Sequence, residues 1–197
     1  MKDAATPPMR PSNEATKRQR DIAAVQGEAY RLAVEAMAVE NGIRETRAGG
    51  YVIGFTTEAA EGAYTPQDRQ LARAEPAGAN THMEVIVADG SDGRFVPQLD
   101  VTVTVLTDGR QLFTTAVPFL WHPFLYHYGI NAEVPGEGPF DVTVRIQPPD
   151  FMRHDPVNGQ RFAEPAEAAF TQVRFNTGVK RSPDVSPHAG TVPEASH

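Results

Sequence analysis

The sequence predicts an all-β chain, an antiparallel β-sandwich with one α-helix added at its N-terminus. Three observations carry this expectation. Apolar residues recur at helical spacing only in the first quarter of the chain. After Gly49-Gly50 the pattern switches to short period-two runs of β-branched and aromatic residues. Those runs are separated by turn dipeptides, with no second helical stretch between them.

Taken in order, residues 1–12 are rich in proline and polar side chains and read as a disordered leader. Residues 13–47 read as the helical segment, with Ile22, Val25, Ala29, Leu32, Ala33 and Ala36 on one face and Arg20, Glu28, Arg31 and Glu35 on the other. Asn41-Gly42 is its natural stop. The apolar stripe is expected to pack on the chain's own domain, with a subunit or partner interface as the alternative. Residues 48–178 form the β domain. Its strands are read at Tyr51 to Thr57, at His82 to Ala88, at Leu99 to Val105, at Gln111 to Val117, around Val142 to Ile146, and at Ala168 to Phe175. The clearest hairpin turns at Asp108-Gly109, where Val101, Val103 and Val105 alternate with threonines. Asp89-Gly90-Ser91-Asp92-Gly93 places acids beside glycines, but it has neither the length nor the oxygen spacing of a calcium loop and reads as a turn. Residues 179–197, with three prolines, read as a disordered tail.

Bulk properties narrow the function. The 197 residues suffice for one domain with extra segments. A net charge of -7 with no basic cluster among aromatics excludes a nucleic-acid binder. Cysteine is absent, so any metal must be held by His, Met, Asp or Glu. No apolar run is long enough to insert in a membrane, and the first residues lack a signal-peptide core.

Candidate chemistry lies with the histidines. In His82-Met83-Glu84, residues two apart on a strand share a face, so an imidazole and a carboxylate can converge. Alone, such a pair is ordinary surface polarity. The run Pro118 to Gly129 sets His122 and His127 among the densest aromatic residues of the chain, where each ring nitrogen needs a partner. A metal is one solution and a hydrogen-bonded core histidine the other. Pro148 to Asp155 closes a strand and presents Met152 and His154 on a loop.

The order His-x-Glu, an alternating hairpin, a segment ending in His-Tyr-Gly, and a strand leading to Pro-Pro and a Met/His loop resembles a known family. That family comprises the periplasmic metal-binding proteins serving bacterial iron-uptake permeases. The likeness runs over about residues 50–175, and Gly62-Ala63-Tyr64-Thr65-Pro66 resembles the family's early hairpin. It implies an immunoglobulin-like sandwich, commonly a homodimer, located outside the cytoplasm, that binds cupric ion, takes part in ferrous or ferric iron acquisition and serves an iron permease. It also implies a ligand set of His82, Glu84, His127 and His154. Where the family places a methionine before His-Tyr-Gly, this chain has Phe119 and Leu120, so His122 or Met152 must substitute. A thioether favours soft Cu(I), whereas an extra imidazole favours Cu(II), Zn(II) or Ni(II); with the iron acquisition that the resemblance implies, the expected ion is Cu(II) or Fe(II)/Fe(III), with Zn(II) also accommodated.

The resulting expectation is a metal-binding protein and not an enzyme. Its site is His82, Glu84, His122, His127 and His154, and its affinity falls as pH drops through the imidazole range, about 6 to 7. Two alternatives stand beside it. One is a metal-dependent enzyme using Glu84 as base, for which the chain offers neither a helical zinc-protease motif nor a serine elbow. The other is a metal-free interaction module.

Overall fold

A computed structural model describes residues 6–181. Residues 1–5 of the expected leader and the tail from 182, including His188 and His197, lie outside the described residues. The chain runs α1 (Lys17–Asn41), β1 (Arg44–Ala48), β2 (Tyr51–Glu58), β3 (Ala63–Gln67), β4 (Gln70–Ala74), β5 (Thr81–Asp89), β6 (Val101–Thr107), β7 (Arg110–Ala116), β8 (Phe119–Trp121), β9 (Tyr126–Ala132), β10 (Phe140–Ile146) and β11 (Ala166–Val173).

All the strand pairings are antiparallel. One sheet has the order β1-β2-β5-β9-β8 and the other β11-β10-β6-β7, with β3 and β4 forming a separate hairpin. The sheets enclose one core. Ile53, Phe55, Met83, Val85, Val87 and Tyr128 come from the first, and Val101, Val103, Val105, Val142, Val144, Ile146 and Phe170 from the second. Period two in the sequence produces this layer, because alternate side chains of each strand point inward. Tyr128 closes it with its hydroxyl, which donates to the Val96 carbonyl (2.7 Å) and accepts from the Leu99 amide (3.1 Å). The all-β antiparallel sandwich with one added helix is the architecture expected from the pattern.

The helix differs from expectation in which face it buries. It starts on a capping box, Thr16 Oγ1 accepting from the Gln19 amide and the Gln19 side chain accepting from the Thr16 amide. It ends at Gly42, whose positive φ of 68° stops the helical path, so that residues 44–48 form β1 and are not helical. Ile22, Val25 and Leu32 are half or more exposed, at 50, 70 and 53 %. The buried positions are instead Ala23, Gly27, Val34 and Met37, with Tyr30 half-buried.

Close approach decides this choice. A Cβ on Gly27 would lie 1.7 Å from the Asp92 carbonyl oxygen, so this face can seat only without a side chain there. Tyr30 donates its hydroxyl to the Tyr126 carbonyl (2.6 Å). Val34 and Met37 then pack with Ile86 and Leu125 on the outer face of the first sheet. Each such side chain removed from water contributes about 1.5–3 kcal/mol. As a result β5, the middle strand, is buried along its whole length on both faces. A helix lying over a sheet face turns any polar residue beneath it into a buried one.

Gly27→Ala tests this docking. Helix propensity alone would make the substitution stabilising by about 1 kcal/mol. The clash with Asp92 predicts instead a loss of about 1–3 kcal/mol and faster amide exchange in residues 17–41. Thermal unfolding and hydrogen exchange measure both.

Candidate metal centre

Cross-strand register builds the site. On the outer face of the first sheet, Glu58 of β2 faces His82 of β5, which faces Asn131 of β9. In the neighbouring row Thr56 faces Glu84, which faces Gly129. His127, two residues before Gly129 and therefore on the same face, pairs with Leu120 of β8. Gly129 is thus a vacant position in a lattice of side chains. A Cβ placed there would lie 2.6 Å from Leu120 Cδ1, 2.7 Å from His82 Nε2 and 3.2 Å from His127 Nε2. The missing side chain is the space into which two imidazoles point.

His82, Glu84 and His127 are 3, 5 and 4 % exposed, and each offers a ligand atom within 4.8 Å of the others. Glu58, Glu61 and His82 make a second trio on the same criterion, so His82 is shared. A cleft of about 340 Å³ opens over them, lined by Glu58, Glu61, Glu84, His122, His127 and Lys180, with Ala36 and Met37 of α1 as its roof. Lys180 bridges the two outer acids, 2.5 Å from Glu58 and 3.2 Å from Glu61.

The protonation pattern follows from hydrogen bonds. Asn131 is clamped to the backbone of Glu61, donating from Nδ2 to its carbonyl (2.7 Å) and accepting at Oδ1 from its amide (3.2 Å). This orientation leaves Oδ1 as the atom 3.0 Å from His82 Nδ1, so Nδ1 is the nitrogen that carries hydrogen. The lone pair of His82 is then on Nε2, buried and without a partner. Glu84 Oε2, His127 Nδ1 and His122 Nδ1 are likewise buried with no hydrogen-bond partner in the protein. Several buried polar atoms without a partner on residues around one cleft suit a bound ligand, and the nitrogen and carboxylate groups suit a borderline transition ion.

Of the five residues expected from the sequence, three converge, and a fourth, His122, lines the same cleft with its ring centroid 6.3 Å from that of His127. His154 is not brought there. It sits on a loop, 90 % exposed at its side chain, with Nδ1 3.5 Å from Glu14, and it lines a separate cavity of about 720 Å³. Met152 is 99 % exposed. Asn131, Gly129 and Glu58 escaped the sequence reading because only the pairing of β2, β5 and β9 places them beside His82, and Glu61 and Lys180 because the Ala60–Val179 bridge brings them in from loops. Asn131 had one available signal: it lies four residues after His127 on a strand, which puts it on the same face.

A family model described as Fe2+ transport protein matches residues 67–177. The chain belongs to that family. All five expected site residues fall in the matched span, whereas α1 and its cleft-roofing residues precede it. Among solved structures, FetP of uropathogenic E. coli strain F11 is 18 % identical over 68 % of this chain and 93 % of its own, with a TM-score of 0.55. Copper-reconstituted P19 of Campylobacter jejuni is 15 % identical over 70 % of this chain and 96 % of its own, with a TM-score of 0.56. Both likenesses show a shared fold. Among curated proteins the sequence finds no match.

Within this Fe2+ transport protein family member, burial sets the electrostatics. It pushes the Glu84 carboxyl up to about 8, helped by the neighbouring Glu58 and Glu61 charges and opposed by Lys180. It pulls His127 down to about 4, reinforced by His82 and His122. At neutral pH the 3.4 Å contact between His127 Nε2 and Glu84 Oε1 therefore joins a neutral acid and a neutral imidazole and is not an ion pair. The proton that competes with a cation belongs to Glu84, which moves the expected pH response above the imidazole range.

Two measurements check these points. Gly129→Ala fills the void and is expected to weaken metal binding at least about tenfold, comparable to losing a supporting contact, while the metal-free circular-dichroism spectrum stays unchanged. Calorimetry at pH 7 in buffers of different ionisation enthalpy is expected to show about one proton released per ion bound, from Glu84. Stability follows the same sign. The folded-state value of about 8 exceeds the ordinary 4.5, so the metal-free fold loses stability as pH rises between them, and Glu84→Gln is expected to melt above the wild type at pH 9.

Proposed function

We propose that this chain binds a copper or iron ion at His82, Glu84 and His127 and holds it for uptake or delivery. One observation carries the proposal. Three buried donors from β5 and β9 meet at a void left by a glycine, and each retains a buried atom that nothing in the protein satisfies. In this reading His122 is the fourth donor, since it enters the same cleft. Within one chain His154 stays outside the set. Neutral imidazole and carboxylate ligands suit Cu(II) and Fe(II), and Zn(II) would compete.

Membership of the Fe2+ transport protein family supports a role in metal uptake, and copper is what the P19 structure holds. We extend the reading to an immunoglobulin-like sandwich working outside the cytoplasm and delivering to an iron permease. FetP, its structural relative, was recombinantly expressed in the periplasm of E. coli, and among the described residues no helix is long and apolar enough to cross a membrane. We also propose a homodimer. Phe119, Trp121, Phe124 and Tyr126 are 48, 67, 53 and 46 % exposed along β8, the turn after it and the start of β9, where β8 is a sheet edge. Exposed aromatics on an unpaired edge favour burial against a second chain.

Titrations of Cu(II), Fe(II) and Zn(II) by calorimetry test the core of the proposal. Saturable binding is expected in the wild type, with a loss of about 10–100-fold or more in His82→Ala and in His127→Ala and little change in His154→Ala if the site is complete within one chain. Retained binding in both of the first two variants contradicts the site. Light scattering of the wild type against Trp121→Glu tests the dimer: the wild type is expected at twice the chain mass and the variant at once.

A further inference from the structure

The cleft has a floor and a roof of different chemistry. The floor, on the sheet, offers nitrogen and oxygen donors only. The roof is α1, and its lining residues there are Ala36 and Met37. We propose that the Met37 thioether is a further ligand of this centre, giving it a soft donor with which to hold Cu(I). The inference rests on the reading of the cleft as a metal site.

Three features place the sulfur-bearing side chain there. First, the last turn of α1 is pinned over the donors. The Thr56 hydroxyl donates to the carbonyl of Gly42, the helix cap, at 2.5 Å, and Thr56 is the cross-strand partner of Glu84. Second, Met37 is 7 % exposed and lines the cleft that Glu84, His122 and His127 also line, so its side chain lies between helix and sheet and not in solvent. Third, its other neighbours Val34, Ile86 and Leu125 are buried and apolar, so that side of the cleft offers no competing polar donor. A thioether beside imidazoles on an apolar wall favours the soft cuprous ion over harder ones.

No other described methionine competes for the role. Met9 lines the other cavity, Met83 is sealed in the sandwich core, and Met152 is almost fully exposed on its loop. Because the chain contains no cysteine, any sulfur bound to copper has to be a thioether. The roof also lies ahead of the span matched by the family model.

The full chain loaded with Cu(I) under anaerobic conditions tests this by X-ray absorption and by competition with a chromophoric Cu(I) chelator. The wild type is expected to show a sulfur scatterer beside nitrogen. Met37→Leu, which keeps the apolar packing, is expected to lose that scatterer and to bind Cu(I) at least about tenfold more weakly, with Cu(II) affinity changed less than about threefold. A copper shell of nitrogen and oxygen alone in the wild type overturns the Met37 assignment while leaving the histidine site standing, as does a sulfur scatterer that persists in Met37→Leu. Absence of any saturable copper binding overturns the metal-site reading itself. Should Met37→Leu fail to fold, methyl-labelled methionine spectra of the wild type decide. The Met37 methyl resonance is expected to shift on Cu(I) addition while that of Met83 does not, and an unmoved Met37 signal overturns the proposal.

Discussion

Everything at this centre depends on placing ionisable groups beneath a helix on a sheet that is already covered on its other side. Water is the usual partner of His and Glu, and α1 takes most of it away from β5. Deprived of solvent, Glu84 holds its proton more tightly and His127 takes one less readily than in water. The same deprivation leaves several buried polar atoms unsatisfied, which is costly for any fold unless a ligand uses them. An ion recovers that cost, and this links stability to affinity: the groups that make the metal-free protein less stable are those that bind.

Orientation comes from beyond the donors. Asn131, held by two hydrogen bonds to Glu61, fixes which nitrogen of His82 faces the void. Gly129 supplies the void by having no side chain where the lattice requires one. Lys180 partly neutralises the acids on the rim. Geometry of this kind precedes the ion, so binding requires little rearrangement of the sheet. The matched span covers β5, β8 and β9 of this sheet face, whereas β2 with Glu58, and α1, which covers the face, lie ahead of it.

The sandwich was legible because alternation in Val101, Val103 and Val105, or Val142, Val144 and Ile146, directly records which face is buried. His82 and Glu84 were legible for the same reason, as residues two apart on a strand. Where periodicity failed, packing overruled it. The helix carries two apolar stripes, and hydrophobicity favours Ile22, Val25 and Leu32; the stripe that docks is the one with Gly27, chosen by backbone approach to Asp92, which no periodicity encodes. The short β8 and the β9 strand were masked in the sequence by prolines and dense aromatics. Asn131 and Glu58 were invisible because their relevance arises from strand register between segments far apart in sequence, and Glu61 because it reaches the site through its loop's hydrogen bonds to Asn131. His154 illustrates the converse, a histidine that the family resemblance assigned to the cluster and whose loop carries it elsewhere within the chain.

The central claim is that one ion is held jointly by His82, Glu84 and His127 under the helix. A crystal of the copper-loaded protein, with anomalous scattering recorded at the copper edge, tests it most directly. The account requires the principal peak beside the Gly129 void, within bonding reach of both imidazoles and the carboxylate. A principal peak at His154 and Glu14, or at the tail histidines, with the void occupied only by water, contradicts it.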